Sequence, residues 1–396
     1  MMAVRLMDIS PSGPLTLPDT GLGRGWEAPV VMTTTLLLLA FGLVTLYSGS
    51  AFLAQRQGLP DWYFVLRQLA GAAGGLLLMM GCARVPTWLW ERLAWPLVVV
   101  TFGLLVATVL PGTGSIAPEI NGARRWLVVG VTMQPSEFAK AAVIVWTAAM
   151  AVKKQDQLAS LTRGLLPFIL VWSALLAPVL LQPNLSTACL IAALGALTVF
   201  AAGGRVAHFV FLGLLASPVL WTQLRVGFRA DRLAAFLNPA VDPAGAGFQV
   251  RQSLIAIGSG GVAGVGFGQG RQKYGFLPEP HNDFIFAMVG EEWGLLGVVL
   301  VVGLYATLVL VGYRIARRAT APYSQLLALG ATNLVALQAL LHMAVGLALV
   351  PPTGLALPLF SYGRSNLLVT LACLGMLMAV ARETEAGTTR PGRGRA

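Results

Sequence analysis

The sequence predicts an all-α polytopic membrane protein of about ten transmembrane helices, with a large structured extracytoplasmic loop between helices 7 and 8. Three observations predict it. First, hydrophobic residues make up 56% of the 396 and charged residues only 11%, with a mean hydropathy of +0.75. A soluble domain carries roughly 25% charged residues, so lipid must be the solvent for most of this chain. Second, apolar runs of roughly 20 residues, the length that spans a bilayer, recur from end to end. Third, the connections between the runs alternate between basic and non-basic. The net charge of +11 therefore reads as topology control and contact with anionic headgroups, not nucleic-acid binding.

Residues 1–28 carry Arg5, Asp8, Asp19, Arg24 and Glu27 among scattered prolines and no apolar run. They read as a cytoplasmic tail and not as a cleavable signal peptide. Spans at 30–53 and 63–83 follow, then a connection holding Arg84 and Arg92, then a span at 92–111. The loop 112–134 lies on the opposite side and contains Arg124 and Arg125. Pro135 suits the first turn of the next span, 135–152. Lys153, Lys154 and Arg163 mark another basic connection, and spans 164–181 and 186–203 are joined at 182–185 without Lys or Arg. Arg205 precedes span 206–222, after which residues 223–282 form the long loop; a loop of that length is usually functional. Span 284–312 leads to Arg314, Arg317 and Arg318, and span 324–349 to the uncharged segment 350–360. The last span, 361–381, ends in a basic tail, so both termini are expected in the cytoplasm. One transmembrane domain, 29–382, thus lies between tails at 1–28 and 383–396. Cys82, Cys189 and Cys373 lie in apolar runs without a metal-ligand spacing and read as small buried hydrophobes.

Polar chemistry gathers in three places. The first is Asn121-Gly122-Ala123-Arg124-Arg125-Trp126, followed by Gln134-Pro135-Ser136-Glu137 and Lys140. Glu137 and Lys140 are three apart and share a helical face. A cation one turn inside an apolar helix is costly unless paired or wet, so Lys140 is a candidate phosphate ligand. The second is a glycine-rich run ending in Arg271 and Lys273, then Glu279, His281 and Asp283 before the apolar stretch from 284. No strand–helix unit surrounds these glycines, which excludes a dinucleotide site. Close backbone approach, with amides and cations converging on an anion, is the expected use. Asp283 is the candidate general base, since an acid in a partly dry pocket has a raised pKa. Glu291 and Glu292 read as supporting groups. The third is Pro351-Pro352-Thr353-Gly354, then Ser361-Tyr362-Gly363-Arg364, where a continuous helix is ruled out. Arg364 at a helix start opposes the dipole, which a nearby anion would offset.

At these residues the chain resembles the SEDS family, which includes FtsW and RodA, over nearly all of its apolar body. The matching segments are NGARRWL, QPSEFAK, QSLIAIGSGG, GQGRQKYGFLPEPHNDFIFA, GEEWGLLG and PPTGLALPLFSYG. The run RQKYGFLPEPHNDFIF looks more like the division branch, FtsW, than the elongation branch, RodA. The resemblance implies a peptidoglycan glycosyltransferase of the bacterial inner membrane that polymerises lipid II at the septum. It implies as partners a class B penicillin-binding protein and other divisome membrane proteins. Asp283 matches the essential acid of the family's DFIF motif. Glu137 and Lys140 match its fourth-helix polar residues, and Arg124 and Arg125 its basic external pair.

The expected site is therefore Asp283 as base, with Arg124, Arg125, Glu137, Lys140, Arg271, Lys273, Glu279, His281 and Ser361 at the diphosphate and sugar. A divalent cation, magnesium or manganese, is an optional helper. The chain departs from the family at Asn184, Ser186, His342 and Arg364, the last standing where SYGGS has its second glycine. A lipid II flippase, an elongation polymerase and a non-catalytic scaffold are the competing readings.

Overall fold

The computed structural model describes residues 25–119, 122–238 and 245–388. Asn121 and most of the two predicted tails lie outside the described residues. Twelve α-helices occur among the described residues: α1 (Glu27–Arg56), α2 (Tyr63–Arg84), α3 (Thr87–Val109), α4 (Pro135–Lys153), α5 (Leu166–Leu181), α6 (Leu185–Ala201), α7 (Val206–Leu224), α8 (Gly227–Leu237), α9 (Ala246–Ser259), α10 (Ile285–Arg318), α11 (Pro322–Gly346) and α12 (Arg364–Thr388).

Each predicted span coincides with one helix, and α8 and α9 are additions within the long segment between α7 and α10. Among the described residues, eight helices are long and apolar enough to cross a membrane, and α6 is a shorter apolar one. The remaining predicted span, α4, packs against α3, α6, α11 and α12 and buries most of its side chains. A helix walled in by protein tolerates the charged groups of its first turns, which lipid would not. At the other extreme, α7 buries no side chain.

Two local features were not expected. Loop 112–134 contains a short antiparallel hairpin, β1 (Leu127–Val129) with β2 (Val131–Met133), pairing Leu127 with Met133. Gly130 at its turn has φ 68°. Within α10, Gly294 has φ 64° and ψ −159°, which breaks the helix into two pieces. The glycine-rich run repairs that break. The amides of Val265 and Gly266 donate to the carbonyls of Glu291 and Glu292 at 3.0 and 3.1 Å, and Leu295 and Leu296 donate back to Gly261 and Val262. A Cβ on Gly260 would lie 1.9 Å from the Gly290 carbonyl oxygen, so only glycine permits the approach. Close backbone packing is thus the use of these glycines, with α10 as the partner.

Candidate functional site

Asp283 precedes the first turn of α10. Its backbone amide donates to the Glu279 carbonyl at 3.1 Å, and Glu279 itself adopts φ 49°. The carboxyl is half-buried, and a Cβ on Gly354 would sit 3.7 Å from Asp283 Oδ2. Burial pushes the Asp283 pKa up to about 6, assisted by the charge of Glu279, while Arg232 and Arg125 pull it down.

The charges of two arginines thus act on this acid, and different elements position them. Arg125 precedes β1, and its Nε and Nη2 donate to the carbonyls of Gln182 and Pro183 at 2.9 and 3.0 Å. These bonds hold it over the α5–α6 turn. Arg232 lies on α8, with Nη1 3.5 Å from the Pro352 carbonyl oxygen. Arg229, one turn earlier, donates to the Gln223 carbonyl at 3.1 Å. Burial lowers the proton affinity of Arg125, the charges of Arg232 and Arg229 add to that, and Asp283 opposes it. The result is one carboxyl within the field of cations drawn from two separate segments, the approach to β1 and α8. Such a site can take a proton and stabilise a departing anion.

Sequence reasoning missed Arg229 and Arg232. The available signal was FRADRLAAF, where two arginines three apart share a face of an amphipathic helix within the long loop.

The structure gives the other predicted residues partners within the protein. Lys273, 7% exposed, donates to Glu292 Oε1 at 3.0 Å, Ser48 Oγ at 2.8 Å and the Gly268 carbonyl at 2.7 Å. Its charge is neutralised inside the protein. Ser361 Oγ accepts from Leu357 N at 2.9 Å and donates to the Asn282 carbonyl at 2.8 Å, so its hydroxyl braces the loop below Asp283. Lys140, 0% exposed, forms a 2.5 Å ion pair with Glu137.

His281 is buried between Phe64 and Tyr362, with ring centroids 5.4 and 5.9 Å away. Its Nε2 lies 3.6 Å from Glu279 Oε2. Burial lowers its pKa against the Glu279 charge. Arg124 is exposed and turned toward Glu119 at 4.0 Å. The predicted convergence of amides around Arg271 exists, but on an internal anion: the amides of Arg271 and Gln272 donate to Glu291 Oε1 at 2.7 and 3.2 Å. Among the described residues, no group of three or more His, Cys, Asp or Glu side chains gathers to hold a metal ion.

Residues 29–386 match the family of cell cycle proteins that groups FtsW, RodA and SpoVE. The chain is similar to stage V sporulation protein E of Bacillus subtilis, at 40% identity over 356 residues, 89% of this chain and 96% of that protein. It is likewise 40% identical over 354 residues to the probable peptidoglycan glycosyltransferase FtsW of Trichlorobacter lovleyi, 89% of this chain and 92% of that one. Among solved structures it resembles a chain from a study of how a peptidoglycan synthase complex coordinates polymerization and crosslinking. There the TM-score is 0.73 and the identity 30%, over 92% of this chain and 99% of that one. It also resembles the rod shape determining protein RodA of Thermus thermophilus, with TM-score 0.65 and identity 28%, over 92% and 98%.

Proposed function

This chain belongs to the family of cell cycle proteins that groups FtsW, RodA and SpoVE, and from that premise we propose how it works as a peptidoglycan glycosyltransferase. It is a multi-pass membrane enzyme. The observation that carries the mechanism is the carboxyl of Asp283, raised by burial to a pKa of about 6 and acted on by the charges of Arg232 and Arg125.

The substrate is lipid II, a disaccharide on a diphosphate–polyprenyl anchor. Asp283 takes the proton from the 4-hydroxyl of one sugar. That oxygen bonds to the anomeric carbon of the growing chain as the bond to the lipid diphosphate breaks. The leaving electron pair stays on the diphosphate, which Arg125 and Arg232 stabilise as charge develops. Direct displacement inverts the anomeric centre without a covalent sugar–enzyme intermediate. A carboxylate with a pKa near 6 is a stronger base than an ordinary aspartate yet mostly ionised at neutral pH. The polyprenyl tail lies along the exposed apolar surface of α7, the helix least engaged with the bundle. Both termini face the cytoplasm on the distribution of basic connections. Likeness to a chain of a complex coordinating polymerization and crosslinking supports a class B penicillin-binding protein as partner. Septal action with other divisome proteins follows the FtsW-type relatives.

The test is glycan chain formation from lipid II by purified Asp283→Ala and Asp283→Asn, with and without the class B partner. Removing a general base costs about 10²–10⁴ in rate, and full activity in both variants refutes the assignment. Proteoliposomes scored in parallel for lipid II translocation separate polymerisation from the flippase reading.

A further inference from the structure

The face that carries Asp283 bears a second group of cations where α2 meets α12, and the chemistry above does not use it. Arg67 lies one turn into α2, and Arg364 is the first residue of α12. The stem of Arg364 lies on α2: a Cβ built on Gly71 would sit 3.2 Å from Arg364 Cγ. Gly71 follows Arg67 by one helical turn and shares its stripe of the helix, so the two guanidinium groups belong to one patch. Arg67 turns back toward the helix start, where Nη1 donates to the Tyr63 hydroxyl and the guanidinium stands 5.0 Å from the Tyr63 ring centroid. Both arginines also act on Tyr362, whose pKa burial raises and whose two cationic neighbours lower it. Tyr362 is bound in turn to the catalytic loop, its amide donating to the His281 carbonyl at 3.1 Å.

Among the described residues, no carboxylate lies within ion-pair distance of either arginine. The surface nearby is apolar and exposed, with Trp62 just before α2 and Leu66 and Leu69 outward on it. That is the composition of a helix at the membrane interface. Two like charges held together at the edge of hydrocarbon repel with little screening, and the start of α12 adds a further positive end beside Arg364. The forked, delocalised guanidinium matches phosphate oxygens. Arg364 also stands where the family resemblance leads one to expect glycine.

We propose that Arg67 and Arg364, with the hydroxyls of Tyr63 and Tyr362, form a binding site for a lipid-borne phosphate at the α2–α12 seam. The phosphate belongs either to an anionic phospholipid headgroup or to a polyprenyl diphosphate, and the experiment tells them apart. The site stands whether or not Asp283 is the base.

The full-length protein in detergent is titrated with phosphatidylglycerol, undecaprenyl diphosphate and, as a zwitterionic control, phosphatidylcholine, and bound lipid is counted by native mass spectrometry. In the Arg67→Gln/Arg364→Gly double variant the tightest anionic binding event weakens by about tenfold or more. Arg364→Lys, which keeps the charge but loses the fork, retains only part of the affinity, phosphatidylcholine binding is unchanged, and thermal stability stays at the parental value. A loss confined to phosphatidylglycerol assigns the site to phospholipid. One confined to undecaprenyl diphosphate assigns it to the polyprenyl carrier, and a loss for both assigns it to lipid phosphate generally. Unchanged affinity for both anions overturns the proposal, as does an equal loss for phosphatidylcholine.

Discussion

Asp283 and Glu292 flank the first turns of α10, both are acids, and both face cations, yet their surroundings differ. Glu292 is sealed. It accepts from Lys273 and Ser48, so a lysine from the glycine-rich segment and a serine from α1 close on it. Asp283 is half-open, and the arginines that face it bond to backbone carbonyls at Gln182, Pro183 and Pro352. In the first region opposite charges neutralise each other and tie α1, α10 and the glycine-rich segment together. In the second, the guanidinium groups are positioned by neutral carbonyls and keep their charge for something else. Acids and bases close in sequence are therefore poor guides to chemistry until their partners are known. A cation whose donors end on carboxylate stabilises the fold, whereas one held by carbonyls remains able to meet an anionic ligand.

This contrast can be broken in graded steps below the loss expected for Asp283 variants. The largest further effect is on the sealed side. Lys273→Met leaves Glu292 buried and unpaired, and breaking a buried pair costs about 3–5 kcal/mol. Thermal unfolding in detergent should show a large drop, partly restored in Lys273→Met/Glu292→Leu. Polymerisation per folded molecule should survive in the double variant; its loss would place Lys273 in the chemistry after all. Next, Arg232→Gln should lower turnover of lipid II by about ten- to a hundredfold with stability near the parental value. An unfolding shift as large as that of Lys273→Met would make Arg232 a structural residue.

The smallest effect is on pH dependence. With the Asp283 pKa at about 6, kcat/KM should fall as the pH drops through that value, because the base becomes protonated. Arg232→Gln removes a charge that favours the carboxylate and should move the limb to higher pH. Glu279→Gln removes one that disfavours it and should move the limb to lower pH. A limb that ignores both substitutions would detach the titration from Asp283.

Much of this architecture was legible residue by residue. The ten predicted spans each meet a helix because hydropathy over roughly 20 residues is a local quantity. Asp283 stood out because an acid directly before an apolar run is costly without a purpose. The hairpin at Leu127–Met133 was missed because three-residue strands carry almost no periodic signal. The break at Gly294 was missed because a single glycine inside an apolar run is compatible with an unbroken helix until something packs against it. Arg229 and Arg232 were passed over in a loop rich in charge, where nothing local marks them as neighbours of Asp283.

By itself, the sequence determined the solvent, the order and approximate extent of the helices, the family, and the end of the bundle where polar groups collect. Each depends on composition or pattern along the chain. Only the tertiary structure decided which charges are engaged and which are free. Lys273 finds Ser48 on α1, Arg125 finds the α5–α6 turn, and Arg364 rests on α2. The energy of a charge depends on what lies within a few ångströms of it in space, and those neighbours come from distant parts of the chain.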